Sequence, residues 1–211
     1  ITGIGQGYTQ TTPLQLCQMT AQLANGGFKI YPKIIVDENS KTVEDIRVIM
    51  NENREQSNQN ESGLQEASEL LDFFKEKEHN RLFKNSKNIN LVREAMFAST
   101  NEVRGTSYSS RIEDPEYQFA GKTGTSQVKR ITELERELDL KTFEIPYNER
   151  DHALYIAFGP YKNPRYALSI VIEHGGSGSS AAAPMAKKLF KLIIDRHKLR
   201  EKVKIQKTIK T

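Results

Sequence analysis

The sequence predicts an α+β domain, an antiparallel sheet with helices packed on it. Helical periodicity dominates the first half, three extended patterns follow, and a helical pattern closes the chain. The last two extended patterns, HALYIAFG and RYALSIVIEH, are separated by the turn-rich PYKNP, which predicts an antiparallel hairpin.

From the first residue onward, ITGIGQGY carries three glycines in eight residues, so its backbone is expected to turn sharply or to approach another segment closely. A helix then starts at Thr12 as N-cap, with Pro13 at the first helical position and Gln15 completing a capping box. Leu14, Cys17, Ala21 and Ala24 share one face, and Asn25-Gly26-Gly27 ends the helix. FKIYPKIIV reads as a short extended segment broken by Pro32. Residues 37–63 are polar and close to low complexity, a surface excursion. Leu64–Phe83 and Ile89–Thr100 are helical by pattern, the second with Ile89, Val92 and Met96 on one side. VRGTSYSSRIEDPE is loop-like, and Tyr117–Val128 is expected to be extended. RITELERELDLK reads as a charged helix within an insert, residues 130–150, ahead of the hairpin. GGSGSS leads into a final helix over Ala182–Leu199, with Met185, Leu189 and Ile193 on one face, and residues 200–211 form a basic tail.

Bulk composition narrows the function classes. The 211 residues are 36% hydrophobic and 27% charged, the balance of a soluble globular domain with a sizeable core. No apolar run is long enough to cross a membrane. The chain opens at Ile1 inside a glycine motif, which reads as a piece of something longer. The lone Cys17 forms no internal disulfide and is expected to be a small core residue. His79, His152, His174 and His197 lack metal-binding spacing and read as surface or hydrogen-bonded histidines, so no metal is expected. Net charge is +4, with acidic residues concentrated over 37–80 and basic ones after Lys187. Without interleaved aromatics, the basic end reads as a solvated helix end, and no nucleic-acid partner is expected.

The segment QFAGKTGTSQVK, residues 118–129, admits three chemistries. Gly121-Lys122-Thr123 resembles the end of a phosphate-binding loop, but the glycine required five residues earlier is Glu116, and the residues after Thr123 favour a strand. Ser126-Gln127-Val128-Lys129 spells S-x-x-K, the nucleophile motif of penicillin-recognising enzymes. That motif needs a helical turn to bring serine and lysine together, and on a strand positions i and i+3 point to opposite sides. Lys122-Thr123-Gly124 is the K-T-G of the same enzymes. On a strand at a sheet edge it offers unpaired backbone groups to a peptide-like substrate and a positive charge beside it. The hydroxyls of Thr123 and Thr125 can hold a carboxylate, Gly124 lets a substrate backbone lie close, and an N–H just after the glycine can face an oxyanion. A further signal, Gly176-Ser177-Gly178-Ser179-Ser180-Ala181, matches a dinucleotide fingerprint between strand and helix. Too little chain follows for a second parallel strand, so a tight strand-to-helix corner is the favoured reading, with a nucleotide-binding domain as the alternative.

GIGQGY followed by TTPLQL, then AGKTGTSQV, then the hairpin and closing helix together resemble the transpeptidase domain of class B penicillin-binding proteins, most of all its elongation-type branch, penicillin-binding protein 2. The resemblance covers residues 1–36 and 91–197. It implies a serine β-lactamase/penicillin-binding protein fold, of which residues 1–199 would be the C-terminal half. The implied activity is D,D-transpeptidation, in which a serine attacks the D-Ala-D-Ala amide of a peptidoglycan stem peptide, without a cofactor, and is trapped by β-lactams. Lys122 would be catalytic, Thr123, Gly124 and Thr125 substrate-binding, with the Thr125 N–H in the oxyanion hole. The family further implies an anchor upstream, the periplasmic side of the bacterial inner membrane, a membrane glycosyltransferase partner and other elongation-machinery proteins.

In that family S-x-x-K and S-x-N precede the GQGY region. Ser86-Lys87-Asn88 and Ser99-Thr100-Asn101 spell S-x-N but come too late and read as helix-end or loop residues. The nucleophile is therefore expected upstream of Ile1, and this chain is expected to be inactive alone. The rival reading is a non-catalytic binding or scaffold module of the same fold.

Overall fold

The structure, a computed structural model, describes residues 10–32, 81–129 and 140–208, with side chains to Val203 in the last helix. Two compact units divide the chain, one of Ile1–Gly26 with Asn85–Thr211 and one of Gly27–Lys84. The polar excursion at 37–63, the helical pattern at 64–80 and the charged helix at 130–139 lie outside the described residues.

Helix α1, Pro13–Ala24, starts as its sequence requires. The Gln15 N–H donates to the Thr12 hydroxyl at 3.2 Å, and the Thr12 N–H donates back to Gln15 Oε1 at 2.8 Å. Two otherwise orphaned helix N–H groups are thereby satisfied. At the far end the Asn25 N–H returns to the Ala21 carbonyl, and Gly26 takes φ 92°, open to glycine at no steric cost. The buried positions are Thr20 and Ala24. Leu14, expected on the buried face, stands 62% exposed, because the packing runs through the later turns. Thr20 tolerates burial because its hydroxyl donates to the Leu16 carbonyl at 2.7 Å.

Helix α2, Ser86–Asn101, begins one turn before the apolar pattern, capped by Asn85, whose side chain accepts from the Lys87 N–H at 2.9 Å. Its buried residues are Ile89, Met96 and Thr100, while Val92, expected among them, is largely exposed at the margin. Residues 81–83, expected as a helix end, are not helical. Arg81 instead bridges Phe28, and the Leu82 N–H donates to the Gly27 carbonyl at 2.9 Å, a distant pairing that takes the backbone out of a helix.

Strands β1 (Ala120–Ser126), β2 (His152–Gly159) and β3 (Tyr166–Ile172) form an antiparallel sheet in the order β1-β2-β3. The predicted hairpin is β2–β3, closed by the Arg165 N–H on the Gly159 carbonyl at 3.1 Å. Strand alternation sorts β2 into two faces. Ala153, Tyr155 and Ala157 enter one core cluster, and Phe158 enters another, with Ile156 against it. The second cluster adds Ala24 of α1, Met96 of α2 and Ala120 of β1.

The first cluster is closed by α3, Ala183–Thr208, through Ala183, Ala186, Phe190 and Ile194. This corrects the sequence reading of that helix. Met185 and Leu189 are 46% and 39% exposed, and the buried stripe lies one residue further on. Both stripes are apolar, but the alanines let the helix approach the sheet until Phe190 stacks on Phe119, ring centroids 4.9 Å apart. The helix also runs past Leu199 to Thr208. No glycine or proline interrupts that stretch, and Glu201 pairs with His197 one turn back and with Arg165.

Candidate functional site

Lys122, Thr123, Gly124 and Thr125 sit in the middle of β1, opposite Ile156, Tyr155, Leu154 and Ala153 of β2. Among the described residues β1 pairs only with β2, so its other side is a sheet edge. In an antiparallel pair, alternate residues turn their N–H and C=O away from the partner strand. The outward set is identified by who reaches it. Asn101 Nδ2 donates to the Phe119 carbonyl at 3.0 Å, the Thr100 hydroxyl to the Gly121 carbonyl at 3.4 Å, and Lys122 Nζ to the Thr123 carbonyl at 2.9 Å. The same alternation turns the Thr125 N–H outward. Helix α2 therefore occupies the edge up to Gly121 and leaves the stretch from Thr123 onward. Asn101 and Thr100, read from sequence as ordinary helix-end residues, are the fasteners of that edge.

Beneath the edge lies a group of buried hydroxyls. Tyr155 Oη is 3.0 Å from the hydroxyls of both Thr100 and Ser107, and all three residues are buried. Ser107 Oγ lies 3.1 Å from the Ser99 carbonyl oxygen, and the Thr100 hydroxyl has the Met96 carbonyl at 3.3 Å as an acceptor alternative to that of Gly121. Either partner can donate in each of the two contacts with the phenol, which has a single hydrogen of its own. Burial pushes the Tyr155 phenol up, opposed in part by the bonds from Ser107 and Thr100. Gly121 exists to admit this ring, since a Cβ there would lie 2.3 Å from Tyr155 Oη.

Above the edge the hydroxyls are exposed. Lys122 Nζ also lies 3.4 Å from Thr123 Oγ1, which is 3.3 Å from Thr106 Oγ1, which is 3.2 Å from Ser99 Oγ. Sequence inspection missed Thr106, Ser99 and Tyr155 as parts of this site. No local motif marks them, and they meet β1 only through the fold.

The competing motifs take other roles. Ser126 ends β1 opposite His152, and Lys129 Nζ forms an ion pair with Glu149 at 2.5 Å, so the two do not form a helical serine–lysine pair. Glu116 pairs with Lys198 of α3, and its hydrogen bond holds the Lys198 ammonium above its ordinary value. The glycine-rich string at 176–181 is a corner. It forms a single wide turn over Gly178–Ala182, and a Cβ on buried Gly178 would lie 2.5 Å from the Leu154 carbonyl oxygen and 2.6 Å from that of Gly124. Among the described residues the sheet is wholly antiparallel, without the parallel pair a dinucleotide fold requires. Gly124 is thus backed on one side by the Gly178 turn. Cys17 is half-buried, its thiol 3.4 Å from the Ala167 carbonyl and pushed up by burial, the environment of a packing residue. His152, His174 and His197 are hydrogen-bonded: the His174 N–H donates to His152 Nδ1 at 2.9 Å, and His197 Nδ1 lies 2.7 Å from Tyr166 Oη. No helix among the described residues is long and apolar enough to cross a membrane.

Comparison with known proteins matches residues 1–191 to the family model of the penicillin binding protein transpeptidase domain. Among curated relatives, the peptidoglycan D,D-transpeptidase MrdA of Salmonella typhimurium is 34% identical over 194 residues, 92% of this chain and 26% of the relative. Its counterpart in Acinetobacter baumannii is 32% identical over 89% of this chain and 23% of the relative. The chain therefore spans about a quarter of the length of these relatives. Among solved structures, Pseudomonas aeruginosa PBP2 in complex with WCK 5153 superposes with a TM-score of 0.56 at 28% identity, over 90% of this chain and 32% of that one. Helicobacter pylori PBP2 in complex with MreC gives 0.59 at 24% identity, over 92% and 26%.

Proposed function

This chain belongs to the penicillin-binding protein transpeptidase family, and from that premise we propose that it supplies the substrate-binding edge of a peptidoglycan D,D-transpeptidase. The observation that carries the reading is β1 itself. The strand presents an outward backbone edge at Thr123 and Thr125, a lysine ammonium folded onto that edge, and two threonine hydroxyls on one face. A D-Ala-D-Ala stem peptide, or a β-lactam in its place, lies along this edge as an added strand. The Lys122 ammonium supplies positive potential to the reacting centre, and the hydroxyls of Thr123 and Thr125 hold the substrate carboxylate. The outward Thr125 N–H faces the oxygen that becomes negative when serine attacks the amide. Gly124 keeps the approach open while the Gly178 turn supports the strand from behind.

The nucleophilic serine belongs to an S-x-x-K outside these 211 residues, so the chain alone performs no acyl transfer. In the full-length protein the acyl-enzyme passes to an amine of a neighbouring strand, on the periplasmic side of the inner membrane. The complex of Helicobacter pylori PBP2 with MreC supports partners from the elongation machinery for this protein too. A membrane glycosyltransferase is a further partner of that machinery.

One labelling experiment tests both halves. A fluorescent penicillin should acylate the full-length protein, and Lys122→Ala should slow this by about 10²- to 10³-fold, the loss typical of removing an electrostatic stabiliser of the transition state. The 211-residue chain should take up no label. Label on Ser126 of the short chain would overturn the missing-nucleophile reading, and undiminished acylation of Lys122→Ala would overturn the assignment of β1.

A further inference from the structure

The loop that follows α2 does more than connect it to β1. Gly105 and Ser107 are both fixed against the end of α2. A Cβ on Gly105 would lie 2.3 Å from the Ser99 carbonyl oxygen, and that same carbonyl accepts from the Ser107 N–H and hydroxyl, each at 3.1 Å. Thr106 lies between these two anchored residues. Its own side chain is exposed, yet it points at β1, with Oγ1 3.3 Å from Thr123 Oγ1 and 3.2 Å from Ser99 Oγ.

Donor counting fixes the first link in this chain of atoms. A lysine ammonium only donates, so Thr123 Oγ1 accepts from Lys122 Nζ at 3.4 Å. Either hydroxyl can donate in the next two contacts, and only the arrangement in which Thr106 donates to Thr123, and Ser99 to Thr106, leaves the hydrogen of Thr123 for the substrate carboxylate. A hydroxyl held this way keeps a lone pair on Thr123 turned toward the ammonium. We propose that Thr106 is a positioning residue of the substrate-binding edge, its hydroxyl orienting that of Thr123 and, through it, the Lys122 ammonium. The proposal rests on the reading of β1 as the acyl-transfer edge. It adds a residue that acts on the site through Thr123.

The test is the acylation rate of the full-length protein with a fluorescent penicillin, measured for Thr106→Val, Thr106→Ser and both combined with Thr123→Val. Thr106→Val should acylate about fivefold more slowly, the value of one neutral hydrogen bond. Thr106→Ser, which keeps the hydroxyl, should return to the unmodified rate, a rescue that a purely structural role would not give. In the Thr123→Val background, Thr106→Val should cause no further loss, because the bond it supports is already gone. Equal rates for Thr106→Val and the unmodified protein would overturn the proposal, as would a Thr106→Ser variant as slow as the valine, or full additivity with Thr123→Val. An unmodified full-length protein that takes up no penicillin would instead sink the acyl-transfer reading, and this proposal with it.

Discussion

A glycine three residues before the motif glycine shows how much of β1 is decided by a ring on the neighbouring strand. Gly121 is buried, and a methyl group there would fall 2.3–2.6 Å from Oη, Cζ and Cε1 of Tyr155. Tyr155 is itself fully buried and bonded on two sides, so it has no free rotamer to yield into. Gly121→Ala should therefore destabilise by about 1–3 kcal/mol, the usual cost of overpacking. Thermal unfolding of the full chain measures it, and an unchanged midpoint would mean the ring moves freely. At this scale legibility was uneven. Lys122 through Thr125 could be singled out because a contiguous motif names them. Thr106 and Tyr155 were not, since their partners stand 17 and 55 residues away in sequence, and only the fold brings them together.

For whole elements, periodicity located α1, α2, α3 and the three strands but did not choose between neighbouring faces. In α3 the stripes Met185–Leu189–Ile193 and Ala186–Phe190–Ile194 are both apolar, and the sequence reading took the first. The sheet takes the second, because alanine at 183 and 186 permits close approach and Phe119 waits to stack on Phe190. Phe190→Ala should cost about 3–5 kcal/mol, whereas Leu189→Ala should cost under about 1 kcal/mol. Urea unfolding of the two variants decides between the faces, and a larger loss for Leu189→Ala would reverse the assignment. The helix starts teach the same lesson. The Thr12 capping box was readable because its two members are three residues apart, while α2 begins early because Asn85 caps a polar turn that periodicity does not register.

Across the larger compact unit, Tyr155 ties β2 to α2 and to the loop after it. Its oxygen meets the hydroxyls of Thr100 and Ser107, which also reach the Met96 and Ser99 carbonyls. Burial, the larger influence, holds the phenol above its ordinary value, so the folded protein keeps this proton more firmly than the unfolded chain does. The unfolded tyrosine titrates near pH 10, at about its reference value. The stability that Tyr155 contributes is therefore complete below about pH 10 and is lost as the pH rises through the higher folded value. Tyr155→Phe should lower stability at neutral pH by about 1–3 kcal/mol, because Thr100 and Ser107 lose a buried partner. Above about pH 10 the gap between the two proteins should narrow, since only the tyrosine form has a buried proton to lose. Denaturant unfolding of both proteins from neutral to strongly alkaline pH measures that gap. A gap that stayed constant throughout would mean that the phenol ionises as easily in the folded protein as in the unfolded chain. The hydroxyl cluster would then be open to water rather than the sealed joint that fixes α2 against the sheet.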